Sequence, residues 1–316
     1  MYDDVPSYVE DFLYYIKTIK NRSNLTVKEY HYDLRNFFKY IKKEKELLDQ
    51  DLDKINITRI DLEFIQQITT EDINKYLGKL SLDNNDKPST IARKIASIKD
   101  FFNYICFKKK LVKVNPTIDL ETPSLGKRIP KYLTLDESIA LLHSIDGKFK
   151  ERDYAIITIF LNCGLRLSEL ININLKDVSN RELKIIGKGN KEREIYLNEA
   201  CVSAIDNYLK VRPHENLKDR DALFVTKQGT RISSRMIELI VKKYIALAGL
   251  DTKKYSPHKL RHTAATLMHK YGNIDIRTLQ QILGHSSIST TQIYTHVDNE
   301  QVKESIEKNP LNRNNI

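Results

Sequence analysis

The chain has 316 residues, of which 41% are hydrophobic and 30% charged, and its formal net charge is +10. This length leaves room for two domains with separate cores, and the basic balance favours a polyanionic partner such as DNA or RNA. The three cysteines form no CxxC pair, which argues against a disulfide framework or a thiolate zinc site. The N-terminus has no secretory signal pattern and no apolar run is long enough to cross a bilayer, so we expect a cytoplasmic protein without a membrane anchor.

The first 115 residues are predicted to be helical. Apolar residues recur there at spacings of three and four, the pattern of one buried helix face. Thr26 and Glu29 have the spacing of a capping box, which predicts a helix start. Residues 44–63 are expected to be a long connection. The N-terminal domain over 1–120 is therefore predicted to contain four helices, at about 6–20, 26–41, 70–80 and 89–105.

An interdomain linker is predicted over 121–131, within a stretch that contains three prolines and a glycine. An extended basic strap suits a clamp that closes around a rod-shaped ligand, and an ordinary solvated linker explains the composition equally well. Thr134 and Glu137 then have capping-box spacing and predict the first helix of a second domain over 132–316.

The second domain is predicted to contain a small β-sheet between helices. Helices are expected near 136–145 and 151–162. The sequence ELKIIGKGNKEREIYL alternates on both sides of its turn, which indicates a hairpin with Lys188 at the tip. Residues 222–233 suggest a third short strand, and the pattern from Ser233 onward is helical. The fold class is therefore mostly α with a small β-sheet.

A metal site is the first explanation to test for the histidines, since five of the eight lie between 258 and 296. His258 and His262 have the spacing of two ligands on one helix. However, Lys259 stands where a metalloprotease needs its glutamate, and Arg261 adds a second cation. The carboxylate groupings of Mg²⁺-dependent nucleases are also missing. We therefore expect neither a metal nor a cofactor.

An anion site is the alternative. His258 and Arg261 are three residues apart and share a helix face, next to a Ser-Pro helix-start signal that leaves backbone N–H groups free. Arg166 lies in a Gly-Leu-Arg turn, and Glu169 is placed to hold its guanidinium. Each pattern also has a plain explanation: a polar surface helix, an i,i+3 salt bridge and, for Lys188, an exposed turn lysine.

The motifs GLRxSEL, GKGNKER, HxxRHT and LGHSS, with a tyrosine nine residues after the last histidine, occur in one order at domain-scale spacing. Together they resemble the tyrosine recombinase (integrase) family, and especially its Xer-type members. The resemblance covers nearly the whole chain. It implies a four-helix core-binding domain, an α+β catalytic domain, and site-specific strand exchange on double-stranded DNA through a 3′-phosphotyrosine intermediate.

The resemblance also implies a catalytic set. Its members would be Arg166 and Arg261 as the phosphate clamp, Lys188 as the acid for the leaving 5′ oxygen, His258 as general acid/base, His285 as a phosphate buttress, Tyr294 as the nucleophile and Glu169 as support for the first arginine. The chemistry is reasonable in itself, because a phenol that ionises only at about pH 10 needs a strongly positive pocket or a base. A phosphotyrosine ester conserves the energy of the broken bond, so neither ATP nor a metal is required.

Residues that read DNA are expected on the helix from 89 and near 231–244, although a solvated basic face is an equally good explanation. The candidates are Arg93, Lys94, Arg231, Arg235, Lys242 and Lys243. The segment after Tyr294 is predicted to form an amphipathic tail helix. In the family such a tail docks into a neighbour, which implies a homo- or hetero-tetramer on two DNA sites; a tail docked on its own domain is the alternative.

Several functions stay open at this point. A Xer-type enzyme that resolves chromosome or plasmid dimers, associated with the nucleoid, competes with a phage or transposon integrase. The first helix begins near residue 6, which leaves no room for an arm-binding module and favours the Xer-like plan. A DNA-binding protein without turnover and a topoisomerase with the same nucleophile are further alternatives.

Overall fold

A computed structural model describes the following parts of the chain: residues 2–82, 86–123, 131–187, 192–272, 274–284 and 290–291. The contacts divide the protein into two units, Met1–Lys127 and Arg128–Ile316. The boundary between them falls inside the stretch predicted as a linker. Within the described ranges we find no helix with the length and apolar character needed to cross a membrane.

The first unit is helical. Its helices are α1 (Ser7–Thr18), α2 (Asn24–Lys45), α3 (Leu62–Gln66), α4 (Thr70–Leu82) and α5 (Pro88–Asn103), with a 3₁₀ turn at Leu52–Lys54 and a π-helical turn at Tyr104–Lys108. Aromatic rings fill the core between them. Phe101 lies edge-on to Phe12, Phe38 and Phe102 at centroid distances of 5.4 to 5.6 Å. Such edge-to-face pairs add to the stabilisation from apolar burial.

Two details of the first unit differ from the expectations. The predicted Thr26–Glu29 capping box is wrong, because helix α2 begins two residues earlier and the hydroxyl of Ser23 accepts the Thr26 N–H at 3.1 Å. Ser23 is an equally good cap and lies closer to the preceding turn. The predicted long connection over 44–63 contains the 3₁₀ turn Leu52–Lys54, and its isoleucines Ile55 and Ile57 are buried in the core.

The second unit combines helices with a three-stranded antiparallel sheet in the order β1-β2-β3. Its elements are α6 (Leu135–His143), α7 (Lys150–Cys163), α8 (Leu167–Ile171), β1 (Val178–Ser179), β2 (Glu182–Ile186), β3 (Glu192–Tyr196), α9 (Glu199–Val211), α10 (Ser234–Leu247), α11 (Pro257–Gly272) and α12 (Ile276–Leu283). Helix α7 is almost entirely buried and packs against α9 and α11. The site described below lies around its C-terminal end.

The sequence predicted the start of this unit and its hairpin correctly. The capping box of Thr134 and Glu137 is present in both directions. Strands β2 and β3 pair with Leu183 opposite Ile195. The predicted third strand over 222–233 is wrong: that segment makes only isolated bridges, and β1 takes the place in the sheet. The cause is a tight turn at Gly229, whose φ of +73° folds the segment back on itself.

Candidate active site

Arg166 is placed by the turn between α7 and α8. Gly164 ends α7 with a φ of +59°, and a Cβ atom there would lie 2.8 Å from the Leu283 side chain, so glycine suits this close approach. Arg166 is the first residue outside α8. Its backbone N–H donates to Oε2 of Glu169 at 2.8 Å and its Nη1 donates to Oε1 at 2.7 Å. The predicted pairing of these two residues is thus present in the structure.

Glu169 is the centre of a group of three arginines. Its carboxylate, 3% exposed, also accepts Nη1 and Nη2 of Arg193 at 2.9 Å each, and Nη1 of Arg261 lies 3.7 Å from Oε2. Burial alone would raise the pKa of Glu169, but the hydrogen bonds from Arg193 and Arg166 outweigh it and lower the pKa to about 2. The carboxylate is therefore ionised at neutral pH, and it can hold the guanidinium groups in fixed positions.

The same three arginines also bind the C-terminal end of α12. Three successive carbonyl oxygens accept one guanidinium each: Ile282 from Arg193 Nε at 3.3 Å, Leu283 from Arg261 Nη2 at 2.6 Å, and Gly284 from Arg166 Nη2 at 3.0 Å. Carbonyl groups at a helix C-terminus lack intrahelical partners and attract cations. The next residue in the sequence is His285, so the arginines are fixed to the helix that leads to it.

His258 lies in the first turn of α11, where its Nε2 is 3.1 Å from Nε2 of His262. The pKa of His258 is lowered by burial and by the nearby cations Lys259, Arg261 and Arg166. The imidazole is therefore neutral at pH 7, and a neutral imidazole can take up or release a proton.

Arg166, His258 and Arg261 line one open groove of about 780 Å³. The structure thus brings together four residues of the predicted catalytic set, these three and Glu169. The other three, Lys188, His285 and Tyr294, lie outside the described residues. Among the residues that the structure does describe, no group of histidine, cysteine, aspartate or glutamate side chains is arranged to hold a metal ion.

The DNA-reading candidates of the second unit have different surroundings. Arg235 and Lys242 on α10 line the groove. Lys243 instead lies over the Tyr244 ring at 4.4 Å from its centroid. Arg231 donates to the carbonyl oxygens of Ile171 and Ile173 at 2.9 and 3.2 Å, and thus supports the fold locally.

The candidates of the first unit, Arg93 and Lys94, both pair with Asp33, whose side chain is fully buried. Lys94 is only 7% exposed and lies 3.2 Å from the carboxylate. A buried carboxylate needs such partners, so these cations are required in the core. Lys94 has little surface left for DNA, whereas Arg93 is 34% exposed and also contacts Glu29.

Arg193 is the member of the site that the sequence did not reveal as such. It is the last residue of the GKGNKER motif, which indicated a hairpin and nothing more about this side chain. The available signal was the alternation along β3, where Glu192 and Glu194 are exposed and Ile195 is buried. An arginine between exposed neighbours points inward, and an inward arginine requires an anionic or carbonyl partner.

Comparison with known proteins follows the same division of the chain. Residues 131–301 match the Phage integrase family, and residues 51–109 match the phage integrase N-terminal SAM-like domain. The chain belongs to the phage integrase family. It is 54% identical over 310 residues to tyrosine recombinase XerC of Caldanaerobacter subterraneus subsp. tengcongensis, across 98% of this chain and 88% of that one. It is 34% identical to tyrosine recombinase XerC of Thermodesulfovibrio yellowstonii, across 97% of both chains.

A solved structure shares the fold of this tyrosine recombinase over most of its length. The crystal structure of XerH site-specific recombinase bound to palindromic difH substrate, a post-cleavage complex, superposes with a TM-score of 0.68 at 25% identity. The match covers 95% of this chain and 84% of that one. The predicted family, its Xer-type subgroup and the mostly helical fold with a small sheet are confirmed. The protein is a Xer-type tyrosine recombinase, an enzyme that breaks and rejoins DNA strands.

Proposed function

We propose that this recombinase exchanges strands at specific sites in double-stranded DNA and resolves chromosome or plasmid dimers. The observation that supports this proposal best is the pair Arg166 and Arg261, held by one carboxylate beside His258 in an open groove. We assign binding of the core DNA site to residues 1–120 and catalysis to residues 132–316. Residues 121–131 form the linker between these two domains in this proposal. Since chromosomal and plasmid DNA are the proposed substrates, we place the enzyme in the cytoplasm at the nucleoid.

The two arginines bind the scissile phosphate in this proposal. A guanidinium is planar and always protonated, so it can donate to two phosphate oxygens at once. Both arginines line the groove. Arg261 is 4% exposed and donates to the carbonyl oxygens of Gly164 and Leu283, whereas Arg166 is 36% exposed. Attack on a phosphodiester increases the negative charge on the non-bridging oxygens. Fixed cations therefore stabilise the transition state more than the ground state.

Strand cleavage is a transesterification. The phenol oxygen of Tyr294 forms a bond to phosphorus, and the bond from phosphorus to the 5′ oxygen breaks. Neutral His258 accepts the phenol proton, Lys188 donates a proton to the leaving oxygen, and His285 contacts a non-bridging oxygen. The roles of Tyr294, Lys188 and His285 are supported by their motifs. Religation reverses these steps on the partner strand, so no energy source is consumed.

Strand exchange between two sites requires four active sites. We propose a homo- or hetero-tetramer on two duplexes, in which the tail after Tyr294 docks into the neighbouring protomer. The amphipathic pattern of the tail supports this arrangement. A phage or transposon integrase would use the same chemistry, and the 54% identity to a XerC across 98% of the chain favours the Xer role.

The experiment uses nicked suicide duplexes whose binding arms are randomised. The protein is incubated with this pool, SDS-resistant adducts are isolated, and the captured DNA is sequenced. We expect wild type to form adducts enriched in one arm sequence, and Tyr294→Phe to bind the selected duplex without forming an adduct. Adducts with no shared sequence would contradict site specificity, and adduct formation by the Phe variant would exclude Tyr294 as the nucleophile.

A further inference from the structure

Arg193 connects three elements of the site. It lies on β3, its two terminal nitrogens donate to both oxygens of Glu169 on α8, and its Nε donates to the Ile282 carbonyl at the end of α12. Every nitrogen of the guanidinium thus has a partner. The side chain is 16% exposed, so most of it is excluded from solvent.

The end of α12 packs directly on this guanidinium. Gly284 has a φ of +62°, and a Cβ atom there would lie 3.0 Å from Cζ of Arg193. A side chain at this position would press on the guanidinium, and the positive φ would strain it as well. Gly284, which precedes His285 in the sequence, therefore packs directly against the Arg193 guanidinium.

We propose that Arg193 is a positioning residue for DNA strand cleavage. It fixes the carboxylate of Glu169, and through it the guanidinium groups of Arg166 and Arg261. It also holds β3, which follows Lys188 in the sequence, against α12, which precedes His285. This inference rests on the proposed function, since it assigns Arg193 to the same reaction.

The planar shape of the side chain is essential to this role. Two parallel N–H bonds to a carboxylate determine its orientation as well as its position, and the third nitrogen remains for the Ile282 carbonyl. A lysine carries its three N–H donors on one flexible nitrogen, so it lacks the planar fork that contacts both carboxylate oxygens and the carbonyl in a fixed orientation. Arg193→Lys therefore keeps the positive charge beside Glu169 but loses the fixed geometry.

The test separates DNA binding from chemistry. A duplex selected by wild type from the randomised pool serves as the substrate. Half-site affinity is measured by gel shift, adduct formation by single-turnover kinetics at saturating DNA, and folding by thermal melting. Lys184→Met is the matched control, because Lys184 lies on the same hairpin and its ion pair with Glu194 is exposed on both sides. Arg193→Met, which also removes the charge, is measured in parallel.

We expect Arg193→Lys to melt cooperatively and to bind the half-site within about 2-fold of wild type. Its adduct rate should fall about 100-fold, the loss typical of a catalytic group displaced by an ångström. Arg193→Met should be slower still or unfolded, and Lys184→Met should match wild type. Two results would overturn the inference while leaving the proposed function intact. One is a wild-type adduct rate for folded Arg193→Lys. The other is a slower rate that is fully explained by a smaller fraction of DNA-bound protein. If wild type forms no adduct, both fail.

Discussion

Glu169 and Arg193 face each other in a two-point ion pair, with each carboxylate oxygen 2.9 Å from a guanidinium nitrogen. The pair joins a short helix to a strand across 24 residues of sequence. Arg166 and Arg261 also pair with this carboxylate, so its charge helps to hold the two arginines that we propose bind the scissile phosphate.

Removal of that charge should destabilise the second unit. In Glu169→Gln, the nearly buried guanidinium groups of Arg261 and Arg193 lose their anionic partner. Loss of one member of a buried ion pair typically costs about 3–5 kcal/mol. Urea unfolding of Glu199→Gln is the control, because the ion pair of Glu199 with Arg181 is exposed and contributes little to stability. Equal losses in the two variants would contradict the central position of Glu169.

The stability of wild type should depend on Glu169 at acid pH. The pKa of this carboxyl is about 2 in the folded protein and about 4.5 when the chain is unfolded. A lowered pKa stabilises the fold above pH 4.5, and the contribution is lost as the pH falls from 4.5 through 2. The difference corresponds to about 3 kcal/mol. The unfolding free energies of wild type and Glu169→Gln should therefore approach each other as the pH is lowered from 6 to 4 and then to 3. A constant difference between the two proteins would show that Glu169 does not titrate in this range.

Cleavage should tolerate mildly acid pH because His258 has a lowered pKa. If its neutral form accepts the phenol proton, the adduct rate falls only as the pH drops through this lowered value, below the usual 6.5. Lys259 is one cause of the shift, so Lys259→Gln should move the fall to higher pH. Single-turnover rates between pH 5 and 8 measure both effects. An unchanged profile in Lys259→Gln would argue against His258 as the titrating group.

The cysteines should react slowly in the native protein. The Sγ atoms of Cys163 and Cys201 are 3.8 Å apart and both side chains are buried. Contact with Cys201 and burial raise the pKa of the Cys163 thiol, so it stays protonated and unreactive. Iodoacetamide labelling followed by mass spectrometry should modify all three cysteines in urea. Without urea, Cys106 should react ahead of Cys163, because it is 7% exposed against 2% for Cys163. Rapid native labelling of Cys163 would contradict this packing.

The sequence predicted those parts of the site that depend on local spacing. Arg166 and Glu169 are three residues apart on one turn, and helix geometry brings them together. The same spacing correctly predicted the capping box of Thr134 and Glu137 but failed for Thr26 and Glu29, where Ser23 is a competing cap. Contacts between distant segments were not predictable in this way. Arg193 reaches Glu169 across the sheet, and the burial of Lys94 follows from an aspartate 61 residues away. The absence of the strand predicted over 222–233 depends on the backbone conformation of Gly229.

The central claim is that Tyr294 attacks the phosphate held by Arg166 and Arg261. Tandem mass spectrometry of the nuclease-trimmed adduct tests it directly, because it locates the nucleotide on one residue of the peptide that follows Arg277. We predict a 3′-phosphonucleotide on Tyr294 in wild type, and no adduct in Arg261→Ala that still binds the duplex. A nucleotide on any other residue, or a full yield of adduct from Arg261→Ala, would contradict the account.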